Sequence, residues 1–126
     1  MKGLGMATRT VLVIDDDPDI QDLLQTALED AGYHVLTAVD GAALPLAQAE
    51  LPDLILLDIQ MPGMDGVEVS KRLRANPITA SIPIIVMSAY DRLRAVAAAM
   101  PVNDQLPKPF VMERLYGTVA RWAQAS

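Results

Sequence analysis

The chain of 126 residues contains no cysteine. Disulfides, thiol nucleophiles and Cys-ligated zinc or iron–sulfur centres are therefore excluded. A single histidine, His34, leaves no means to assemble a His-rich metal site or a His–Cys triad. No apolar run approaches the ~20 residues needed to span a bilayer. The start, Met1 to Thr10, has Lys2 and Arg9 around two glycines and lacks the apolar stretch of a secretory signal. Basic residues are also few: 10 Lys and Arg against 16 Asp and Glu give a formal net charge of −6. That balance disfavours direct nucleic-acid binding, which rests on Lys and Arg neutralising phosphates. These absences predict a soluble cytoplasmic protein with no membrane association. What is present is globular in character, with 52% hydrophobic and 21% charged residues. The length suits one domain, expected over 10–126 behind a flexible tail over 1–9, with enough core to fold.

Thr10-Val11-Leu12-Val13-Ile14 is a β-branched run, apolar on both faces, as a central parallel strand requires. It stops at Asp15-Asp16-Asp17. Pro18 fits the first helical position, with Asp17 as N-cap and Asp19 in the first turn. Ile20, Leu23, Leu24, Ala27 and Leu28 form one stripe, and Gly32 closes the helix. A short strand is predicted over His34–Ala38. Gly41–Glu50 reads as an Ala-rich helix in which Pro45 must sit near the start or bend the chain. Leu54-Ile55-Leu56-Leu57 is a second two-faced apolar run, stopping at Asp58. A turn-rich loop over Met61–Gly66 leads to a helix over about Val67–Ala75, ended by Asn76-Pro77. Pro83–Met87 is a strand ending at Ser88. Asp91–Met100 reads as a short helix stopped by Pro101, and Asp104–Pro107 as a weak strand ending at Lys108-Pro109. Leu115, Val119 and Trp122 share one face of a last helix.

Five strands alternating with five helices predict an α/β fold: an open, five-stranded parallel sheet with helices on both faces. The common order is 2-1-3-4-5, the flavodoxin-like arrangement. Ligands bind there at the carboxyl ends of the first and third strands, where the winding reverses. Every strand except the second ends on a polar residue that the core does not need: Asp15 and Asp16, Asp58, Ser88, and Lys108. Two like charges ~4 Å apart cost about 4 kcal/mol at an effective dielectric near 20. One lysine cannot compensate three carboxylates, so the site asks for a divalent cation or a proton. All-oxygen ligation suits Mg²⁺ better than zinc. A carboxylate such as Asp58 can attack phosphorus, with Lys108 as a cation and Ser88 as a hydroxyl donor.

At four strand ends the chain resembles the receiver domain of two-component response regulators. The resemblance covers about residues 10–124. It rests on Val13-Ile14-Asp15-Asp16-Asp17, Leu57-Asp58-Ile59-Gln60-Met61-Pro62-Gly63-Met64-Asp65-Gly66, Met87-Ser88-Ala89-Tyr90 and Leu106-Pro107-Lys108-Pro109-Phe110. It implies a phosphoacceptor at Asp58 and Mg²⁺ held by Asp15, Asp16, Asp58 and the backbone carbonyl of Gln60. Ser88 matches the switch hydroxyl and Lys108 the lysine that touches the phosphoryl group. The Lys108–Pro109 bond is expected to be cis, and the side chains of Gln60 and Tyr90 occupy positions that tune hydrolysis. The chain departs from the family twice. Gln105 stands where an aromatic residue usually reorients with the switch hydroxyl, so output must use backbone movement or another side chain. Ser88 and Lys108 are 20 positions apart, a shorter interval than usual, which implies a shortened fourth helix or following loop.

The resemblance implies a phosphoaspartate switch that is not an enzyme beyond its own modification. Its donor is a histidine kinase or a histidine phosphotransfer protein, its output a protein target, and its state a monomer or weak dimer. The chain ends near the fifth helix, so a stand-alone receiver or a fragment is expected. Simpler roles also apply: Asp17, Asp19 and Asp65 suit helix N-termini, Arg92 and Arg94 an exposed helix face, and His34 a solvent-edge strand position rather than a phosphorelay histidine. Two other functions compete. One is an unphosphorylated pseudo-receiver. The other is a phosphatase of the haloacid-dehalogenase type, whose Asp-x-Asp motif is followed here by Asp19 where Thr or Val is wanted. No Gly-rich phosphate loop follows the first strand, which excludes P-loop and Rossmann readings.

Overall fold

The structure is a computed structural model that describes residues 8–59, 61, 65–89 and 100–123. Its strands are β1 (Thr10–Ile14), β2 (His34–Ala38), β3 (Leu54–Asp58), β4 (Ile84–Ala89) and β5 (Asp104–Lys108). Its α-helices are α1 (Pro18–Asp30), α2 (Ala43–Glu50), α3 (Gly66–Ala75) and α4 (Met112–Trp122), with a 3₁₀ turn over Asp40–Ala42. The sheet is wholly parallel in the order β2-β1-β3-β4-β5, as the alternation predicted. The helix expected over Asp91–Met100 lies outside the described residues except for Met100, which is buried. Residues 1–7 of the expected tail lie outside them too. Arg9 already joins the sheet, its carbonyl accepting from the His34 N–H at 2.9 Å.

Strand alternation divides the core in two. Leu12, Ile14, Ile55, Leu57, Ile84 and Val86 pack with Ala43, Ala47, Val69 and Leu73 of α2 and α3. Val11, Val13, Leu54, Leu56, Ile85 and Met87 pack on the other face with Leu24, Ala27 and Leu28 of α1 and Leu115 and Val119 of α4. Both faces are covered, which explains why β1 and β3 read as unbroken apolar runs. Leu23, expected in the α1 stripe, is instead exposed. It lies about 100° round the helix from Leu24, beyond the arc that meets the sheet.

Local chemistry sets the helix ends. The Asp17 carboxylate accepts from the Asp19 N–H at 2.9 Å, and Pro18 opens α1. At its other end Tyr33 N–H donates to Leu28 O and Gly32 N–H to Glu29 O, both at 3.0 Å. This pairing needs Gly32 in its left-handed conformation (φ 99°). The 3₁₀ turn places Pro45 in the first turn of α2, where its missing N–H removes no intrahelical bond. Asp65 caps α3 by accepting from Glu68 N–H at 3.0 Å, so the helix starts at Gly66, one residue before the expected Val67. Strand β4 continues through Ser88 to Ala89, and β5 includes Lys108.

Candidate functional site

Parallel register sets the site. Ile14 pairs with Leu57, so Asp15 and Asp58 leave β1 and β3 side by side. Asp58 pairs with Met87, which brings Ser88 next in line on β4, and Ala89 pairs with Lys108 on β5. Asp15, Asp16, Asp17, Pro18, Asp58, Ser88, Ala89 and Lys108 line one cleft of about 500 Å³ at the carboxyl ends of the strands.

Carboxylate oxygens of Asp15, Asp16 and Asp58 all lie within 4.8 Å of one another. Asp15 and Asp58 are buried, at 1% and 7% exposure, whereas Asp16 is more open. At such separations each like-charge pair opposes the other by about 3–4 kcal/mol at an effective dielectric of 20. Lys108 Nζ is 3.4 Å from Asp15 Oδ2 and 3.4 Å from Asp58 Oδ1. Both contacts are long for charge-assisted hydrogen bonds, so the ammonium straddles two carboxylates without closing tightly on either. Ser88 Oγ is buried and has no hydrogen-bond partner among the described residues. The Lys108–Pro109 peptide is cis.

Neighbouring elements brace the acids. Asp15 Oδ1 accepts from Asp17 N–H at 2.9 Å. Gly66 packs against the main chain that carries Asp58. A Cβ there would collide with the Asp58 carbonyl oxygen and stand 2.8 Å from Ile59 Cα. The same close approach lets Gly66 N–H donate to Ile59 O at 2.8 Å, tying the start of α3 to the end of β3.

The expected site residues Asp15, Asp16, Asp58, Ser88 and Lys108 thus converge. Gln105 does not join them; its side chain is exposed on β5. Gln60 and Tyr90, and with them the expected backbone ligand and tuning positions, lie outside the described residues, as do Arg92 and Arg94. His34 is exposed at the start of β2. One residue at the site has no motif to announce it. Gln21 donates from Nε2 to the main-chain oxygens of Asp15 at 2.6 Å and Ala38 at 3.2 Å. Its only sequence signal is a polar side chain one turn into α1, beside the apolar stripe.

A family model described as the response regulator receiver domain matches residues 11–120. The DNA-binding dual master transcriptional regulator RpaA of Synechocystis sp. is 40% identical over 112 residues, covering 86% of this chain and 46% of that protein. The chain thus spans a little under half the length of that relative. The chemotaxis protein CheY4 of Vibrio cholerae is similar in structure, with a TM-score of 0.82 and 34% identity over 92% of this chain and 99% of that one. The receiver domain of sensor histidine kinase PA1611 from Pseudomonas aeruginosa PAO1 has a TM-score of 0.87 at 30% identity, covering 94% of this chain and 100% of that one. That structure is described with a magnesium ion coordinated in the active site cleft.

Proposed function

This chain belongs to the response regulator receiver domain family, and from that membership we propose that Asp58 accepts a phosphoryl group from a phosphohistidine of a sensor kinase or histidine phosphotransfer protein. A carboxylate oxygen of Asp58 bonds to phosphorus as the donor's P–N bond breaks. The electron pair leaves on the imidazole nitrogen, which takes a proton from solvent. The product is an acyl phosphate, later hydrolysed by water.

Asp15, Asp16 and Asp58 offer a hard, all-oxygen donor set, which fits Mg²⁺, with the main-chain carbonyl of Gln60 as a further ligand. Bound there, magnesium supplies positive charge against the phosphoryl oxygens. Lys108, loosely shared between Asp15 and Asp58, turns onto a phosphoryl oxygen. Ser88 donates its hydroxyl to another. A hydrogen bond to a charged oxygen contributes about 1.5–3 kcal/mol, enough to bias a two-state loop. Gln105 occupies the place of the family's reorienting aromatic, so output runs through main-chain movement or another side chain.

The observation that carries this reading is Ser88 Oγ, buried in the acidic cleft without a hydrogen-bond partner among the described residues. An unsatisfied buried hydroxyl costs about 1–3 kcal/mol, and an incoming phosphoryl oxygen supplies what it lacks. Direct nucleic-acid contact by these 126 residues is not part of the proposal, given their charge of −6. No described helix is long and apolar enough to cross a membrane.

Incubation with Mg²⁺ and a small acyl-phosphate donor, followed by intact-mass measurement, tests the assignment. The expected result is one hydroxylamine-labile phosphoryl group on the wild type and none on Asp58→Ala. No adduct on either protein identifies a pseudo-receiver. Repeated turnover of a phosphomonoester identifies a phosphatase.

A further inference from the structure

We infer that Gln21 is a positioning residue for the acidic cation site: its side-chain amide locks the main chain between Asp15 and Asp16. The inference rests on the proposed Mg²⁺ role of the acids. The last rung of the β1–β2 ladder is Asp15 N–H donating to Ala38 O at 3.2 Å. Beyond it, among the described residues, β1 has no further strand partner on that side, and Asp15 is 1% exposed. A buried main-chain carbonyl there needs a donor. Gln21 Nε2 supplies it at 2.6 Å to Asp15 O, and reaches Ala38 O at 3.2 Å. Only the NH₂ end of the amide can face two carbonyls, so its orientation follows from the acceptors.

The geometry has a consequence for the cation. The Asp15 carbonyl belongs to the peptide plane that leads into Asp16. Fixing that oxygen fixes the plane, and with it where the Asp16 side chain leaves the backbone. Asp16 is the most open of the three acids, so it has the least packing of its own to hold it. Helix α1 is meanwhile tied to the same corner through Gln21 N–H to Asp17 O at 3.0 Å and Asp17 N–H to Asp15 Oδ1 at 2.9 Å. One helical turn therefore sets both acidic residues from behind, without touching the cation. Groups that orient metal ligands typically change affinity by 10–100-fold when removed.

Gln21→Met keeps the length of the side chain and removes both donors. Calorimetric titration with Mg²⁺ of the unphosphorylated protein, below its unfolding range, is expected to show affinity about tenfold weaker than wild type. Arg74→Met, which removes a clasp at the opposite end of the sheet, serves as the stability control and is expected to bind Mg²⁺ within twofold of wild type. If Gln21→Met also binds within twofold, Gln21 is only structural and the inference is overturned. If wild type itself binds no Mg²⁺, the cation reading fails and the inference with it. A measurement on the wild type covers the case in which Gln21→Met does not fold. Hydrogen exchange of the Gln21 side-chain amide is expected to be at least tenfold slower than that of Gln25, which donates to Glu29 at the exposed face of α1. Equal rates would overturn the proposed lock.

Discussion

The two ends of the sheet treat charge in opposite ways. At the amino ends of the strands, Arg74, Asn103, Asp53 and Asp104 are tied into the main chain and one another. Arg74 donates to the carbonyls of Ala80, Ile82 and Pro101 at 2.9, 2.6 and 2.8 Å, and to Asn103 Oδ1 at 2.7 Å. Asn103 Oδ1 in turn accepts from Ile84 N–H at 2.9 Å. Asp53 Oδ2 accepts from Thr10 N–H, and Asp104 from Gln105 N–H and the Trp122 indole. At the carboxyl ends, three carboxylates gather, two of them beside one lysine, and a buried hydroxyl has no partner among the described residues. The contrast separates polar groups that hold the fold from the polar groups of the proposed phosphorylation site. Partial burial pushes the Arg74 guanidinium below its ordinary pKa, yet three carbonyls oppose the lost hydration. At the other end the charges face each other.

The largest stability effect is expected at the amino end. Arg74→Met strands several carbonyls at the junction of α3, β4 and β5. Urea unfolding should show a loss of about 2–3 kcal/mol, discounted because part of the network is open to water. A loss below about 0.5 kcal/mol would erase the distinction, since Arg74 would then be an ordinary surface residue. Next comes Asp58→Asn without divalent cation. It relieves the repulsion from Asp15 and Asp16, which outweighs the long contact to Lys108, so the protein should gain about 1–2 kcal/mol in urea unfolding. Adding Mg²⁺ should reverse the order, because wild type gains about 2.7 kcal/mol at a hundred times its dissociation constant. A loss in the cation-free experiment would mean that Asp58 holds the fold as Asp53 does. The smallest change is expected for Ser88→Ala. Deleting a buried hydroxyl that has no partner among the described residues should leave stability unchanged or raise it by up to about 1 kcal/mol. A clear destabilisation would show that the hydroxyl already serves the fold.

The strands were legible because both faces of this sheet are covered. Val11–Ile14 and Leu54–Leu57 had to be apolar throughout, and the charges that stop them had to lie at an edge. The helix ends were legible through Asp17, Pro18, Gly32 and Asp65, whose effects act within one turn. Leu23 was misread because a stripe drawn from spacing has no width until the sheet defines it. Gln21 and Arg74 had no motif to mark them. Each is a plain polar residue on a helix, and their partners lie as far as 17 and 29 positions away in sequence.

By itself the sequence determined, across the described residues, where the chain is extended, where it is helical, and which residues end the strands, since those depend on neighbours along the chain. Only the tertiary structure decided that Asp15, Asp16 and Asp58 share one cleft, that Lys108 lies between two of them, and that Gln21 and Arg74 brace opposite ends. Parallel pairing aligns the ends of distant strands, and through-space distance, not position in the chain, governs repulsion and hydrogen bonding.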